Sequence, residues 1–228
     1  MWASDHVNRL NWGHLAIRST RISLVGVSCA LLVAFGSYTS VAQNSVAQNS
    51  NELASPTSFS GIQNTQMRSR ALFTEAARVI MNPRCVNCHP AGDHPLQGND
   101  QHIHVPPVSR GAFGDGVPGT QCSACHQDHN VTLVDKDSYQ SIPGRPGWML
   151  APRTMSWEGK STTEVCEQLK DPARNSDRNL TQLYEHFLTS DFVGWGWNPG
   201  LGRDPVPGTQ QQLAELIKAW IDTGAECP

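Results

Sequence analysis

Two short runs of cysteine and histidine are the residues of this chain best suited to chemistry. Each run has the pattern C-x-x-C-H, which is typical of covalent c-type haem attachment. Two cysteines three apart on one helical turn face the same way, so both sulfurs can reach the two vinyl groups of one porphyrin. The histidine that follows then lies under the ring as the proximal iron ligand. We therefore predict two covalently bound haem c groups, one held by Cys85, Cys88 and His89 and the other by Cys122, Cys125 and His126.

Other uses of these side chains explain less of the pattern. Four cysteines and two histidines could bind zinc, or the cysteines could form two disulfides, but neither requires a histidine directly after each pair. A thioredoxin-like motif explains one C-x-x-C run and not two. Only 32 residues separate the two runs. We therefore expect both haems in one domain and close together.

The histidines between and after the two runs are candidates for the distal side of an iron. Segment 90–121 is rich in Pro and Gly and has no helical pattern, so we predict a loop. We predict His104 as the distal ligand of one iron, with His102 as the alternative. Surface histidines, or a separate copper or zinc site made with His94, are the competing interpretations. His129 is too near its own run to cross that haem, although it could reach the other one.

The other distal ligand is predicted from a second loop, segment 141–158, which is rich in Pro, Gly and Trp. We predict Met155 as the ligand, with Met149 as the alternative, and ordinary core packing as the competing interpretation. Methionine raises a haem potential relative to a second histidine, so the two haems would be unequal. His186 falls off the apolar face of its predicted helix, so we expect it at the surface.

The beginning of the chain has the features of an export signal. Residues 1–42 combine three arginines, an apolar run of 14 residues and small residues suited to cleavage. The apolar run is too short to span a bilayer comfortably. Haem c is attached on the outer side of the bacterial inner membrane, so both features indicate the periplasm. We predict a signal peptide over 1–42, a flexible polar leader over 43–64 and a dihaem cytochrome c domain over 65–228, with the exact cleavage site left open.

The net charge limits the classes of partner that we expect for this protein. The predicted signal holds three Arg and one Asp, so the 17 basic and 20 acidic side chains become 14 and 19 after its removal, a net charge of −5. This charge argues against nucleic-acid binding and predicts a redox partner with a basic patch. The chain is expected to be peripheral to the membrane at most.

Helical patterns flank these loops. Apolar residues recur with helical spacing over 66–81, just before the first run, and over 180–188 and 213–221. We predict a mainly α fold with long Pro/Gly-rich loops, a small cytochrome-c-like domain wrapped around its two haems.

Two cysteines, Cys166 and Cys227, belong to neither C-x-x-C-H run and remain after Cys29 is removed with the signal. A disulfide between them is the simplest interpretation in an oxidising compartment.

The chain also resembles a known group over about residues 71–228. The runs that carry the resemblance are LAP (150–152), MSW (155–157), KDPARN (170–175), VGWGW (193–197) and AWIDTGA (219–225). They look like bacterial dihaem proteins labelled "isoquinoline oxidoreductase subunit". The label implies an electron-accepting partner of a molybdenum hydroxylase. That group often has a His where this chain has Met149, so the ligand type at that position is left open.

Two functions follow from these features. The first is an electron carrier with both irons six-coordinate, which passes electrons between a periplasmic or membrane-bound dehydrogenase and the respiratory chain. The second is a haem enzyme of peroxidase type with one open iron. The short separation of the two runs favours the carrier. A haem-based sensor is a third class, but the chain carries no output domain for it.

Overall fold

The computed structural model describes residues 51–135 and 138–228, so the predicted signal peptide over 1–42 lies outside the described residues. The α-helices are α1 (Thr65–Ile80), α2 (Pro83–Val86), α3 (Thr162–Lys170), α4 (Leu180–Thr189), α5 (Asp191–Gly194) and α6 (Gln210–Asp222). The strands are β1 (Leu96–Gln97), β2 (His102–Ile103), β3 (Gly116–Val117), β4 (Thr120–Gln121), β5 (Val131–Asp135) and β6 (Ser138–Ile142). They pair in sequence order as three antiparallel two-stranded sheets.

Helix α1 leads directly into the first C-x-x-C-H run. Asn64 caps it by accepting a hydrogen bond from the Met67 amide at 2.9 Å, as an N-cap residue does. The predicted apolar face is buried, which confirms this helix. Two residues after its C-cap, Pro83 begins α2 at a position where its missing amide costs nothing. The proline therefore starts the turn that carries Cys85.

Three further helices pack with α1 into one hydrophobic core. Ser161 and Glu164 form the predicted capping box of α3, and Thr209 caps α6 by accepting from the amide of Gln212. The core includes Phe73 of α1 and Trp220 of α6, whose ring centroids lie 5.0 Å apart. None of the helices in the described part of the chain is long and apolar enough to cross a membrane.

The predicted disulfide is present in the structure. Cys166 of α3 is joined to Cys227, which follows α6, with the two Cα atoms 5.7 Å apart. Cys166 is fully buried. The bond therefore fixes the end of the chain to the core.

Part of the predicted flexible leader is packed against the core. Leu53 is buried in the main hydrophobic cluster, and the amide of Ala54 donates to the carboxylate of Glu75 at 2.8 Å. Residues Pro56–Phe59 form a 3-10 helix. Residues 51–64 thus contact the core through Leu53 and through Phe59, which is partly buried against the same cluster.

Candidate haem sites

Both C-x-x-C-H runs fold as tight turns that bring their cysteines together. In the first, the Cys88 amide donates to the Cys85 carbonyl at 3.1 Å, and in the second the Cys125 amide donates to the Cys122 carbonyl at 3.2 Å. All four cysteines are free of disulfides. Burial raises the pKa of Cys85 to about 12 and that of Cys88 to about 11. Each pair thus presents two thiols from a single turn.

His89 is held from two sides by one loop. Its Nδ1 lies 2.6 Å from the carbonyl oxygen of Met155, and its ring is stacked on Trp157 with centroids 3.6 Å apart and planes inclined by 6°. A carbonyl oxygen can only accept, so the proton sits on Nδ1 and the lone pair on Nε2. Metal-binding histidines commonly use this arrangement: one ring nitrogen binds the metal, and the other donates its proton to a backbone or carboxylate oxygen.

His126 repeats the same arrangement. Its Nδ1 lies 2.7 Å from the carbonyl oxygen of Pro143, and its ring is stacked on Trp148 with centroids 4.8 Å apart and planes inclined by 7°. One loop, segment 141–158, therefore supplies a carbonyl and an indole to the histidine of each run. The sequence marked this loop only as a source of methionine ligands and missed its positioning role.

Two cavities adjoin the first run and the histidine of the second. The first has a volume of about 240 Å³ and is lined by Cys85, Cys88 and His89. Cofactor sites in proteins are mostly apolar. Its other walls are mainly apolar residues from α1, α4 and the segment around Trp195.

The second cavity has a volume of about 80 Å³ and is lined by His104 and His126. Cys122 and Cys125 do not contribute to its lining. The two cavities share a wall, and the residues common to both linings are Arg84, Cys88, Trp148, Leu150 and Trp195. The indoles of Trp148 and Trp195 meet edge to face at 5.2 Å. Whatever occupies the two cavities is therefore separated by these two rings.

No protein-family model, curated protein or solved structure matches this chain. Within residues 51–135 and 138–228, no three His, Cys, Asp or Glu side chains are grouped so as to hold a metal ion. His94, His102 and His104 therefore do not form a three-ligand copper or zinc site in this structure. A haem iron takes only two ligands from the protein, so it needs no such group.

Of the candidate distal histidines, His104 is the one beside a C-x-x-C-H histidine. The ring centroids of His104 and His126 are 5.9 Å apart. Nδ1 of His104 donates to the Pro106 carbonyl at 2.8 Å, so this ring also keeps Nε2 as its acceptor. His102 instead pairs with Asp100 at the surface. His129 is exposed and lines neither cavity.

Both candidate methionines line the first cavity. Met155 is only 7% exposed, whereas Met149 is 38% exposed. The Met155 sulfur accepts a hydrogen bond from the hydroxyl of Ser176 at 3.0 Å. Since the carbonyl of Met155 also fixes His89, this residue is tied to the first run and not to the second.

His186 is not the surface residue that its position on the helical wheel predicts. It is half-buried and lines the first cavity together with Leu183, which lies three residues earlier on the same face of α4, and with Phe187. The prediction failed because α4 is covered on two sides, by α6 and by the cavity wall. Periodicity identified only the broader apolar side.

Burial favours the neutral form, which is the form that binds metals, in three of the cavity histidines: His89, His126 and His186. It lowers the pKa of His89 to about 4, against the opposing effect of the Met155 carbonyl. It also lowers the pKa of His126, with the Pro143 carbonyl opposing. The pKa of His186 falls to about 4 through burial and the nearby charge of Arg178.

Some polar groups at the cavities lack either a hydrogen-bond partner or a counter-charge among the described residues. Trp157 lines the first cavity, and its buried Nε1 has no acceptor, although buried donors are nearly always paired. Arg84, Arg178 and Arg203 also line the cavities, and none forms a salt bridge with a described carboxylate. These groups fit an occupant that carries carboxylates, as the haem propionates do.

Proposed function

We propose that this protein is a periplasmic dihaem c-type cytochrome that carries electrons. The observation that carries the proposal is the matched setting of His89 and His126. Each follows a cysteine pair on one turn, donates Nδ1–H to a backbone carbonyl and stacks on an indole. Ordinary core histidines have no reason to share this whole arrangement.

The chain would attach each group through its paired thiols. Each thiol adds across one vinyl group, with sulfur bonding to one carbon and hydrogen to the other, so no oxidant is consumed. Cys85, Cys88 and His89 would hold the first haem, and Cys122, Cys125 and His126 the second. Bound haem supplies a one-electron iron couple. His104 would offer its Nε2 as a further protein ligand for the second haem.

The shared wall supports a carrier over an enzyme. Trp148 and Trp195 line both cavities, which would bring the two redox centres close together. The Cys166–Cys227 disulfide suits an oxidising compartment, in agreement with the signal peptide predicted over 1–42. A molybdenum hydroxylase is the partner class that the sequence resemblance implies, and the net negative charge suits a partner with a basic patch.

Intact-mass measurement on full-length protein matured with a haem-attachment system tests the proposal. The wild-type mass should exceed that of the polypeptide by two haems, and replacing Cys85 and Cys88 by Ala should remove one of them. Replacing Cys166 and Cys227 by Ser is the matched control and should retain both. Polypeptide alone, or polypeptide with zinc, would refute the proposal. A high-spin iron that turns over hydrogen peroxide rapidly would favour the peroxidase-type enzyme instead.

A further inference from the structure

The distal side of the first iron has three candidates in the same cavity: Met149, Met155 and His186. The two methionines belong to the loop that fixes His89, whereas His186 belongs to helix α4. The contacts of each side chain decide among them.

Met155 lies behind the proximal imidazole. Its carbonyl oxygen accepts the proton of His89 Nδ1, and an iron bound at His89 would occupy Nε2, on the other side of that ring. The thioether of Met155 would have to pass around the edge of a porphyrin to reach the opposite face. A methionine side chain is too short for this path. Its sulfur already accepts a hydrogen bond from Ser176.

Met149 is the more exposed of the two methionines. It lies next to Trp148, which stacks on the histidine of the second run, and its neighbour Leu150 is tied to the Gly114 carbonyl. Its backbone is fixed between the two runs, because the Ala151 amide also donates to the Cys88 carbonyl at 3.0 Å.

His186 differs from both in its setting. It projects from a regular helix into the cavity with Leu183 and Phe187, and a rigid element positions a ligand better than a loop does. Its ring contacts Phe187, at a centroid distance of 6.1 Å. No hydrogen bond joins its ring nitrogens to any residue in the described ranges. A half-buried imidazole without a partner at a cavity wall indicates that its partner is the molecule that would occupy the cavity.

We infer that His186 is the distal ligand of the iron held by His89. This inference rests on the proposed dihaem function. It makes both sites bis-histidine, since His104 faces His126 at the second site. Both irons would then be low-spin with similar axial ligands, and Met155 would act as a positioning residue for His89.

Optical and electron paramagnetic resonance spectra of the oxidised, full-length holoprotein test the inference. The wild type should show two low-spin haems and no methionine-to-iron charge-transfer band. His186→Ala should convert one of the two haems to high spin and open it to carbon monoxide when reduced, and added imidazole should restore low spin. His186→Met should stay six-coordinate with one midpoint potential raised, because methionine favours the reduced iron.

Glu185→Ala is the matched control, since Glu185 is the exposed neighbour on α4, and it should leave both spectra unchanged. Met155→Leu and Met149→Leu should each retain two low-spin haems. The inference is overturned if His186→Ala keeps two low-spin haems, if a methionine variant opens an iron, or if the wild type is already high-spin at one haem.

The mass of every sample separates these outcomes from failure of the proposed function. Two haems with unaltered spectra in His186→Ala overturn the inference alone. A wild type without haem overturns both. Peptide mapping of the Cys166–Cys227 bond in His186→Ala shows whether the variant has folded, and if it has not, His186→Met together with the wild-type spectra decides the question.

Discussion

The imidazole of His89 lies parallel to the indole of Trp157, with ring centroids 3.6 Å apart and planes inclined by 6°. The contact is reinforced by the backbone, because the Trp157 amide donates to the His89 carbonyl at 2.8 Å. The indole also belongs to the main hydrophobic cluster. One residue therefore links the packing of the core to the orientation of a predicted iron ligand.

Replacing Trp157 with Ala should destabilise the protein strongly. Trp157 is only 5% exposed, and truncating a buried tryptophan costs about 3–5 kcal/mol. Denaturant unfolding should show this loss of free energy, and Trp157→Phe should lose less because it keeps a stacking ring. Phe113 is 82% exposed, so Phe113→Ala is the control and should change stability by no more than about 0.5 kcal/mol. Equal unfolding curves for Trp157→Ala and the wild type would contradict the packing described here.

His104→Ala should open the second iron. The His104 ring is 5.9 Å from that of His126, so in the proposed dihaem protein its loss would leave the second iron with one protein ligand. Carbon monoxide binding to the reduced protein should rise from none to one haem per chain. His102→Ala is the matched control, since His102 pairs with Asp100 at the surface, and it should bind none. If the His102 variant binds carbon monoxide and the His104 variant does not, His102 is the iron ligand and His104 is not.

The sequence was sufficient to predict the parts of the structure that depend on spacing. The apolar face of α1, the capping box at Ser161 and the pairing of Cys166 with Cys227 are all present. Each follows from a local pattern or from elimination among few cysteines. The C-x-x-C-H runs predicted tight turns for the same reason, and both turns are observed.

The positioning of the two histidines could not be predicted in this way. The acceptors for their Nδ1 atoms are backbone carbonyls of Met155 and Pro143, and any residue type provides a carbonyl. Only the tryptophans of segment 141–158 gave a signal, since large aromatic residues in a loop need a surface to cover. His186 was missed because a helical wheel ranks hydrophobicity and does not show which second face a neighbouring segment will bury.

Removing the disulfide should lower stability without removing haem. The bond closes a loop with a sequence separation of 61, which corresponds to about 4 kcal/mol on the chain-entropy model. Cys166→Ser with Cys227→Ser should therefore unfold at lower denaturant, while its intact mass still includes two haems. Peptide mapping of the unreduced wild type should recover the two cysteines as one linked species. Free thiols at both positions in periplasmic material would show that the bond does not form there.

Arg203 should set the potential of the second site. Its guanidinium lines the second cavity and is held in place by the Ser141 carbonyl at 2.7 Å. A fixed positive charge near an iron favours the reduced state, which carries one positive charge less, and this effect is strong where solvent screening is weak.

Arg203→Gln removes that charge and should lower the midpoint potential of one haem while leaving the other nearly unchanged. A potentiometric titration followed by optical spectra measures both values. Arg203→Lys keeps the charge and should lower the same midpoint less. Arg70 is half-exposed on α1 and pairs with Glu226, so Arg70→Gln is the control and should shift neither midpoint. A midpoint that rises or stays fixed in Arg203→Gln would mean that Arg203 stabilises strand β6 at Ser141 and has no electrostatic role at the second site.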